Sequence, residues 1–212
     1  MGSRVSEIKR YQIRVEGIVQ GVGFRPFIYG LAIQSCYSGY VLNDVEGVLL
    51  EIQGRDIDIE NFCQCIKTKA PKASYITNIS YHEIDVICDD KEFIIQKSPQ
   101  GLTKETLISP DLAICEDCKR EIKDKNNRRY QYAFTNCTNC GPRFSIVQDI
   151  PYDRQNTTMK VFPMCKNCED EYTNPLDRRF HAQPNACDIC GPQYKLVADK
   201  VYIANESMKK AT

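Results

Sequence analysis

The chain has 212 residues, a length that favours two domains over one. Its 28 basic and 28 acidic side chains balance, so no overall positive field favours nucleic acid as a partner. No apolar run reaches the roughly 18 residues needed to cross a bilayer, and residues 1–10 are too polar for a signal sequence. We therefore expect a cytoplasmic protein with no membrane partner, whose paired cysteines are metal ligands rather than disulfides.

The first hundred residues carry alternating strand and helix patterns. Period-2 alternation and β-rich runs indicate strands, and 3.6-residue apolar spacing indicates helices. The predicted order is strand 11–18, helix 26–36, strands 39–43 and 48–52 joined by a turn at 44–47, helix 58–69, and strands 74–86 and 92–96. This βαββαβ order predicts an α+β domain with a ferredoxin-like sheet over residues 8–98.

A glycine-bracketed turn followed by an arginine joins the first predicted strand to the first predicted helix. It reads Gly17-Ile18-Val19-Gln20-Gly21-Val22-Gly23-Phe24-Arg25. Successive main-chain N–H groups and a helix N-terminus then converge beside a guanidinium, which binds phosphate oxygens in pairs. The turn therefore predicts an anion pocket formed by Arg25 and the N–H groups of Gln20, Gly21, Val22, Gly23 and Phe24.

This turn resembles the phosphate-binding signature of the acylphosphatase family. The segment Gly39-Tyr40-Val41-Leu42-Asn43, followed by Gly47, is similar to that family's second signature. The resemblance implies hydrolysis of an acyl phosphate, with Arg25 and Asn43 as catalytic residues: Arg25 grips the phosphoryl group and the Asn43 amide orients the attacking water. Two alternatives remain open, a tight turn of purely structural importance and a pocket that binds phosphate but hydrolyses slowly.

Eight of the 12 cysteines form an internal repeat with an offset of 50 residues. Each half holds two Cys-x-x-Cys pairs separated by 18 residues, a spacing that suits four-thiolate tetrahedral zinc. Full thiolate ligation leaves no open position, so we predict two structural zinc ions in a tandem zinc-finger domain over 106–197. The predicted ligands are Cys115, Cys118, Cys137 and Cys140 in the first half, and Cys165, Cys168, Cys187 and Cys190 in the second. Exchange of cysteine pairs between the halves stays possible, although we favour the sequential grouping.

Residues 8–197 together resemble the N-terminal part of the HypF carbamoyltransferase family, which matures nickel–iron hydrogenases. The motifs that carry this resemblance include Cys137-Thr138-Asn139-Cys140-Gly141-Pro142-Arg143-Phe144, Tyr152-Asp153-Arg154 and Arg178-Arg179-Phe180-His181-Ala182-Gln183-Pro184. The resemblance implies that the first domain hydrolyses carbamoyl phosphate to carbamate and phosphate. It also implies that later domains use ATP to pass the carbamoyl group to the C-terminal cysteine of a carrier protein, where it becomes the cyanide ligand of the iron.

Residues 198–212 are expected to begin a truncated following segment, with a helix starting near Tyr202. The sequence contains no nucleotide-binding motif. We therefore expect this chain to hydrolyse an acyl phosphate but not to perform the complete transferase reaction. One alternative is a non-enzymatic zinc scaffold that binds a partner protein and carries a vestigial phosphate pocket. A weaker alternative is RNA binding through the arginine pairs 128–129 and 178–179.

Overall fold

The structure is a computed structural model that describes residues 7–98, 107–197 and 201–203. Contacts divide the chain into two compact units. The first comprises the residues up to Ser109 together with Asp149–Asp153, and the second comprises Pro110–Gln148 and the residues from Arg154 onward. Among the described residues, no helix is long and apolar enough to cross a membrane.

A five-stranded sheet forms the first unit. Its strands are β1 (Ile8–Ile18), β2 (Ser38–Asn43), β3 (Val48–Arg55), β4 (Tyr75–Ile84) and β5 (Phe93–Ile95). The strands lie in the order β4-β1-β3-β2-β5. All neighbours pair antiparallel except β2 and β5, which pair parallel. Together with the two helices described next, this sheet confirms the predicted α+β, ferredoxin-like fold.

Two helices, α1 (Phe24–Gln34) and α2 (Ile59–Lys69), complete the first unit. The helix α1 begins two residues before Pro26, because Gly23 caps it in the left-handed conformation with φ 76°. Each valine, leucine or isoleucine side chain buried between helices and sheet stabilises the fold by roughly 1.5–3 kcal/mol relative to its exposed state. The centre of this core is formed by Ile13, Val15, Ile28, Ala32, Val41, Leu50, Ile52 and Ile66.

Gly17, the first residue of the glycine-rich turn, lets the end of β1 approach β4 closely. Its φ of 120° lies in the region that favours glycine, and an added Cβ would lie only 2.1 Å from the main-chain oxygen of Tyr75. The register of the β1–β4 pair shifts between Glu16 and Gly17. Such a bulge bends the strand and re-aims the residues that follow it, which here are those of the turn.

Short helices and loops around the two cysteine repeats form the second unit. The helices α3 (Glu116–Lys123) and α4 (Lys166–Thr173) each begin directly after the first cysteine of a repeat. Two short 3-10 segments, Arg154–Asn156 and Thr158–Val161, lie between the repeats in sequence. Because each helix starts at a ligand position, the two repeats have the same local structure, as their sequence similarity predicts.

The described residues of the second unit end in an antiparallel pair of strands, β6 (Lys195–Val197) and β7 (Val201–Ile203). The prediction of a helix starting near Tyr202 is wrong over residues 202–203, which lie in β7. The β-rich sequence Val-Tyr-Ile suits pairing with β6 better than it suits the first turn of a helix. The rest of that predicted helix lies outside the described residues.

Candidate active site and metal centres

The glycine-rich turn leads from β1 directly into the first turn of α1. Gly21 and Gly23 have φ values of 71° and 76°, which are conformations that glycine adopts without strain. Within the described helix α1, the first turn carries no acidic residue, and no side chain caps it. The positive end of the helix and the N–H groups of residues 20–24 are thus gathered at the point where the sequence predicts an anion pocket.

Arg25 and Asn43, the two predicted catalytic residues, lie in contact. Arg25 belongs to the first turn of α1 and is 7% exposed, while Asn43 ends β2 and is 1% exposed. With its amide oxygen turned toward the guanidinium, Asn43 accepts from Nε of Arg25 at 3.2 Å and from Nη2 at 3.3 Å. The structure therefore brings together two residues that are 18 positions apart in the sequence, one from each motif.

Gln20 joins the turn to two other parts of the first unit through its buried side chain. Its Nε2 donates to the main-chain oxygens of Asp44 and Gly47, both at 2.7 Å. Its Oε1 accepts from the main-chain N–H of Tyr152 at 2.8 Å. The sequence predicts only a main-chain contribution from Gln20, whereas the structure also makes its side chain the link between the two signatures.

Tyr152 and Asp153 reach the same place from far along the chain. Asp153 places Oδ1 2.7 Å from Nη1 of Arg25, and its side chain is 14% exposed. The main-chain oxygen of Tyr152 lies 3.4 Å from Nη2 of Arg25 and 3.4 Å from the Asn43 amide nitrogen in the other amide orientation. Sequence analysis did not predict either as a site residue. The only signal was the motif Tyr152-Asp153-Arg154, which carries a resemblance but gives no position.

Each cysteine repeat gathers its four sulfur atoms into one cluster. All four Sγ atoms of a cluster lie within 4.8 Å of one another. Six neighbouring pairs are separated by 3.5–3.8 Å. These distances are far too long for disulfide bonds, and they match the edge of about 3.8 Å expected for a tetrahedron with Zn–S bonds of about 2.3 Å. The donors fit two structural zinc ions, and each cluster takes its cysteines from one repeat.

Arginines from each repeat reach the cysteine cluster of the other repeat. Arg128 donates from Nη2 to Sγ of Cys168 at 2.7 Å, and Arg178 donates from Nη1 to Sγ of Cys118 at 3.1 Å. A guanidinium that donates to a zinc-bound thiolate offsets part of the negative charge of a four-thiolate site. The two predicted zinc sites are therefore linked by reciprocal contacts.

The neighbouring arginines follow the same reciprocal pattern. Arg129 donates from Nη1 to Glu171 of the second repeat at 2.8 Å, and Arg179 donates to Glu121 of the first. Burial alone would raise the pKa of the Glu171 carboxyl, but the hydrogen bonds and charge of Arg129 bring that pKa below its usual range. Each of these carboxylates stays ionised at neutral pH and holds the arginine of the other repeat.

Comparison with known proteins assigns the two units. Residues 11–95 match the acylphosphatase family model, and residues 114–147 and 164–197 each match the HypF finger. The acylphosphatase of Thermotoga petrophila is 40% identical over 77 residues, which are 84% of that protein. The chain belongs to the acylphosphatase family and carries two HypF fingers. Its first unit is called the acylphosphatase domain from here on.

The combination of the two parts matches the N-terminal region of HypF. The probable carbamoyltransferase HypF of Methanocaldococcus jannaschii is 49% identical over 148 residues, or 69% of this chain and 19% of the relative. A crystal structure of full-length HypF in its phosphate- and nucleotide-bound form superposes with a TM-score of 0.84 at 46% identity, covering 97% of this chain and 27% of that one. The chain thus spans about a fifth of the length of the curated HypF relatives it matches.

Proposed function

We propose that the acylphosphatase domain hydrolyses carbamoyl phosphate to carbamate and phosphate. The observation that carries this proposal is the buried contact between Arg25 and Asn43 beside the glycine-rich turn. It joins an anion-binding group to an amide that can orient water, inside a domain of the acylphosphatase family. The choice of carbamoyl phosphate rests on the HypF fingers and on the similarity to HypF carbamoyltransferases.

The proposed chemistry needs only positioning and charge stabilisation. Arg25 and the N–H groups of residues 20–24 bind the phosphoryl oxygens, and Asn43 holds a water in line with the phosphorus. Carbamate is a good leaving group, so no general acid is required, in agreement with a pocket that lacks His and Cys among its proposed residues. Phosphoryl transfer depends mainly on these two effects.

The zinc ions have a structural role in this proposal. Bound zinc would supply a rigid core to the second unit, and four thiolates leave no coordination position for a substrate or water. We place the activity in the cytoplasm, where thiolates stay reduced. In the complete pathway, carbamate would pass to further domains that use ATP and transfer it to the C-terminal cysteine of a carrier protein for hydrogenase maturation.

Phosphate release from carbamoyl phosphate tests the proposal. We expect Arg25→Ala and Asn43→Ala to lower kcat/KM by at least about 100-fold, since each removes a preorganised group that acts on the transition state. Arg55→Ala, at the exposed end of β3, is the matched control and should retain turnover. Equal turnover by wild type and Arg25→Ala would end the assignment.

A specific observation favours a second candidate, the non-enzymatic scaffold. Asp153 already balances the charge of Arg25, as expected if the pocket no longer receives phosphate. In that case wild-type protein would release phosphate no faster than buffer. The RNA-binding alternative has less support, because all four arginines that motivated it are engaged by thiolates or carboxylates of the second unit.

A further inference from the structure

Two hydrogen-bond acceptors, a carboxylate and a main-chain carbonyl, lie beside the arginine of the proposed phosphoryl-binding site. Asp153 and the carbonyl of Tyr152 both contact Arg25; Arg25 and Tyr152 are buried, and the Asp153 side chain is 14% exposed. An anionic carboxylate at this distance opposes the binding of a phosphoryl group through like-charge repulsion. A site that binds acyl phosphates in general would therefore bind them more tightly without this carboxylate.

Carbamoyl phosphate differs from other acyl phosphates at one end only. Its amino group carries two N–H donors, whereas acetyl phosphate has a methyl group of similar size there. Arg25 and the turn N–H groups can only donate, so they recognise phosphoryl oxygens and not an amino group. An amino group needs acceptors, and the segment 149–153 supplies two of them beside the phosphoryl-binding residue.

We propose that Tyr152 and Asp153 form the amide-recognition element of the site, an inference that rests on the proposed hydrolysis of carbamoyl phosphate. When the phosphoryl group takes Arg25, the Asp153 carboxylate and the Tyr152 carbonyl are left without this donor. The two N–H groups of the carbamoyl end then replace it. A methyl group carries no N–H donor, so acetyl phosphate gives the Asp153 carboxylate no hydrogen bond in place of the one from Arg25, and a site built to hydrogen-bond an amide rejects a substrate that lacks it.

Gln20 holds this element in place. Its Oε1 accepts from the N–H of Tyr152 at 2.8 Å, while its Nε2 fixes the turn that follows Asn43. The Tyr152 carbonyl is thereby fixed relative to Arg25 and Asn43. An acceptor held in this way discriminates between substrates because it cannot turn away to find another donor.

The test compares two substrates that differ only in this group. For the wild-type chain we expect kcat/KM for carbamoyl phosphate to exceed that for acetyl phosphate by at least about tenfold. Asp153→Ala should lower this ratio about tenfold. It should lower kcat/KM for carbamoyl phosphate, which loses a hydrogen-bond acceptor, and raise kcat/KM for acetyl phosphate, because a negative charge near the phosphoryl group is removed. Asp153→Asn, which keeps the shape and one acceptor oxygen, should give an intermediate ratio. Asp85→Ala, at an exposed position, is the matched control.

A binding measurement separates recognition from hydrolysis. Phosphonoacetamide and acetonylphosphonate carry an amide and a methyl ketone on the same non-hydrolysable phosphonate. Wild type should bind phosphonoacetamide about tenfold more tightly in calorimetry, and Asp153→Ala should bind the two alike. If wild type shows this preference but releases no phosphate, the proposed hydrolysis fails and amide recognition stands.

Three results would overturn the inference. One is an equal affinity of wild type for the two phosphonates. Another is an increase of both substrates' kcat/KM by the same factor in Asp153→Ala, because the carboxylate then only competes with phosphoryl groups for Arg25. The third is an equal loss for both substrates, which would mean that Asp153 only orients Arg25.

Discussion

Arg128 in the first cysteine repeat donates a hydrogen bond to Sγ of Cys168 in the second repeat, 2.7 Å away. Arg178 makes the reverse contact to Cys118 at 3.1 Å. The cysteine ligands themselves are not exchanged between repeats, but the groups that contact them are. Metal binding by each cluster is therefore expected to depend on the folding of the other half of the second unit.

The first prediction concerns zinc retention. Arg128→Ala should speed zinc release to a chelator from the cluster of Cys165, Cys168, Cys187 and Cys190 by about tenfold or more, since it removes a thiolate hydrogen bond. Arg178→Ala should act on the other cluster. Chelator competition followed by thiol alkylation and peptide mass spectrometry assigns the released site. Arg120→Ala, on the exposed face of α3, is the control, and equal release from both clusters would contradict the reciprocal arrangement.

The second prediction concerns metal removal. A chelator should unfold the second unit and leave the sheet of the acylphosphatase domain folded. The described core cluster of the second unit consists mainly of cysteines, whereas the first has an extensive aliphatic core. Hydrogen exchange should lose protection in α3 and α4 and keep it in β1 and β3. Loss of protection in all four elements at the same chelator concentration would show that zinc supports both units.

The third prediction concerns the loss of stability at low pH. Burial would raise the pKa of the Glu51 carboxyl, but hydrogen bonds from Gln12, Tyr40 and Arg10 bring it below the usual value. A carboxyl with a lowered pKa in the folded state stabilises the protein above its unfolded pKa, and this stability is lost as the pH falls through the folded pKa. The free energy of unfolding should therefore fall as the pH drops below about 4.3, the ordinary pKa of a glutamate side chain.

Glu51→Gln provides the comparison for that pH dependence. It should be less stable than wild type at pH 7, because the buried Arg10 guanidinium loses a charged partner at 2.9 Å. It should also lose less stability than wild type between pH 6 and pH 3 in urea unfolding. Parallel pH profiles for the two proteins would mean that other carboxyl groups cause the acid sensitivity.

The sequence predicts those parts of the sites whose residues are close together along the chain. The glycine-rich turn with Arg25 is contiguous, and Asn43 follows in a second contiguous motif. The cysteine spacing likewise predicts the two clusters. Each of these patterns reflects a local geometry that nearby residues must adopt, which is why the structure reproduces them.

The rest depends on contacts that no local pattern encodes. Tyr152 is 127 residues from Arg25, and an aspartate next to it has no periodicity or spacing that points to an anion pocket. The repeat likewise indicates that Arg128 and Arg178 are equivalent, but not that each contacts the other repeat. The helix predicted from Tyr202 is wrong at residues 202–203 for the same reason, because pairing with β6 decides their conformation and the local sequence does not show that pairing.

The last prediction concerns Gln20, whose side chain makes three hydrogen bonds while 1% exposed. Gln20→Ala should reduce the free energy of unfolding by about 3 kcal/mol, because it removes three hydrogen bonds made by a buried side chain. Gln20→Glu has the same shape but should be less stable than Gln20→Ala at pH 7. It keeps the acceptor for Tyr152 but turns a buried carboxylate oxygen toward two carbonyls.

Urea unfolding of these two variants, with Gln64→Ala on the exposed face of α2 as control, measures the effect. If Gln20→Glu proves as stable as wild type, the carbonyls of Asp44 and Gly47 do not depend on Nε2 of Gln20. If stability follows the expected order, the side chain of a residue within the phosphate-binding turn supports the loop that follows Asn43. One glutamine then couples the geometry of the two signatures to the position of Tyr152, so that its loss would disturb all three together.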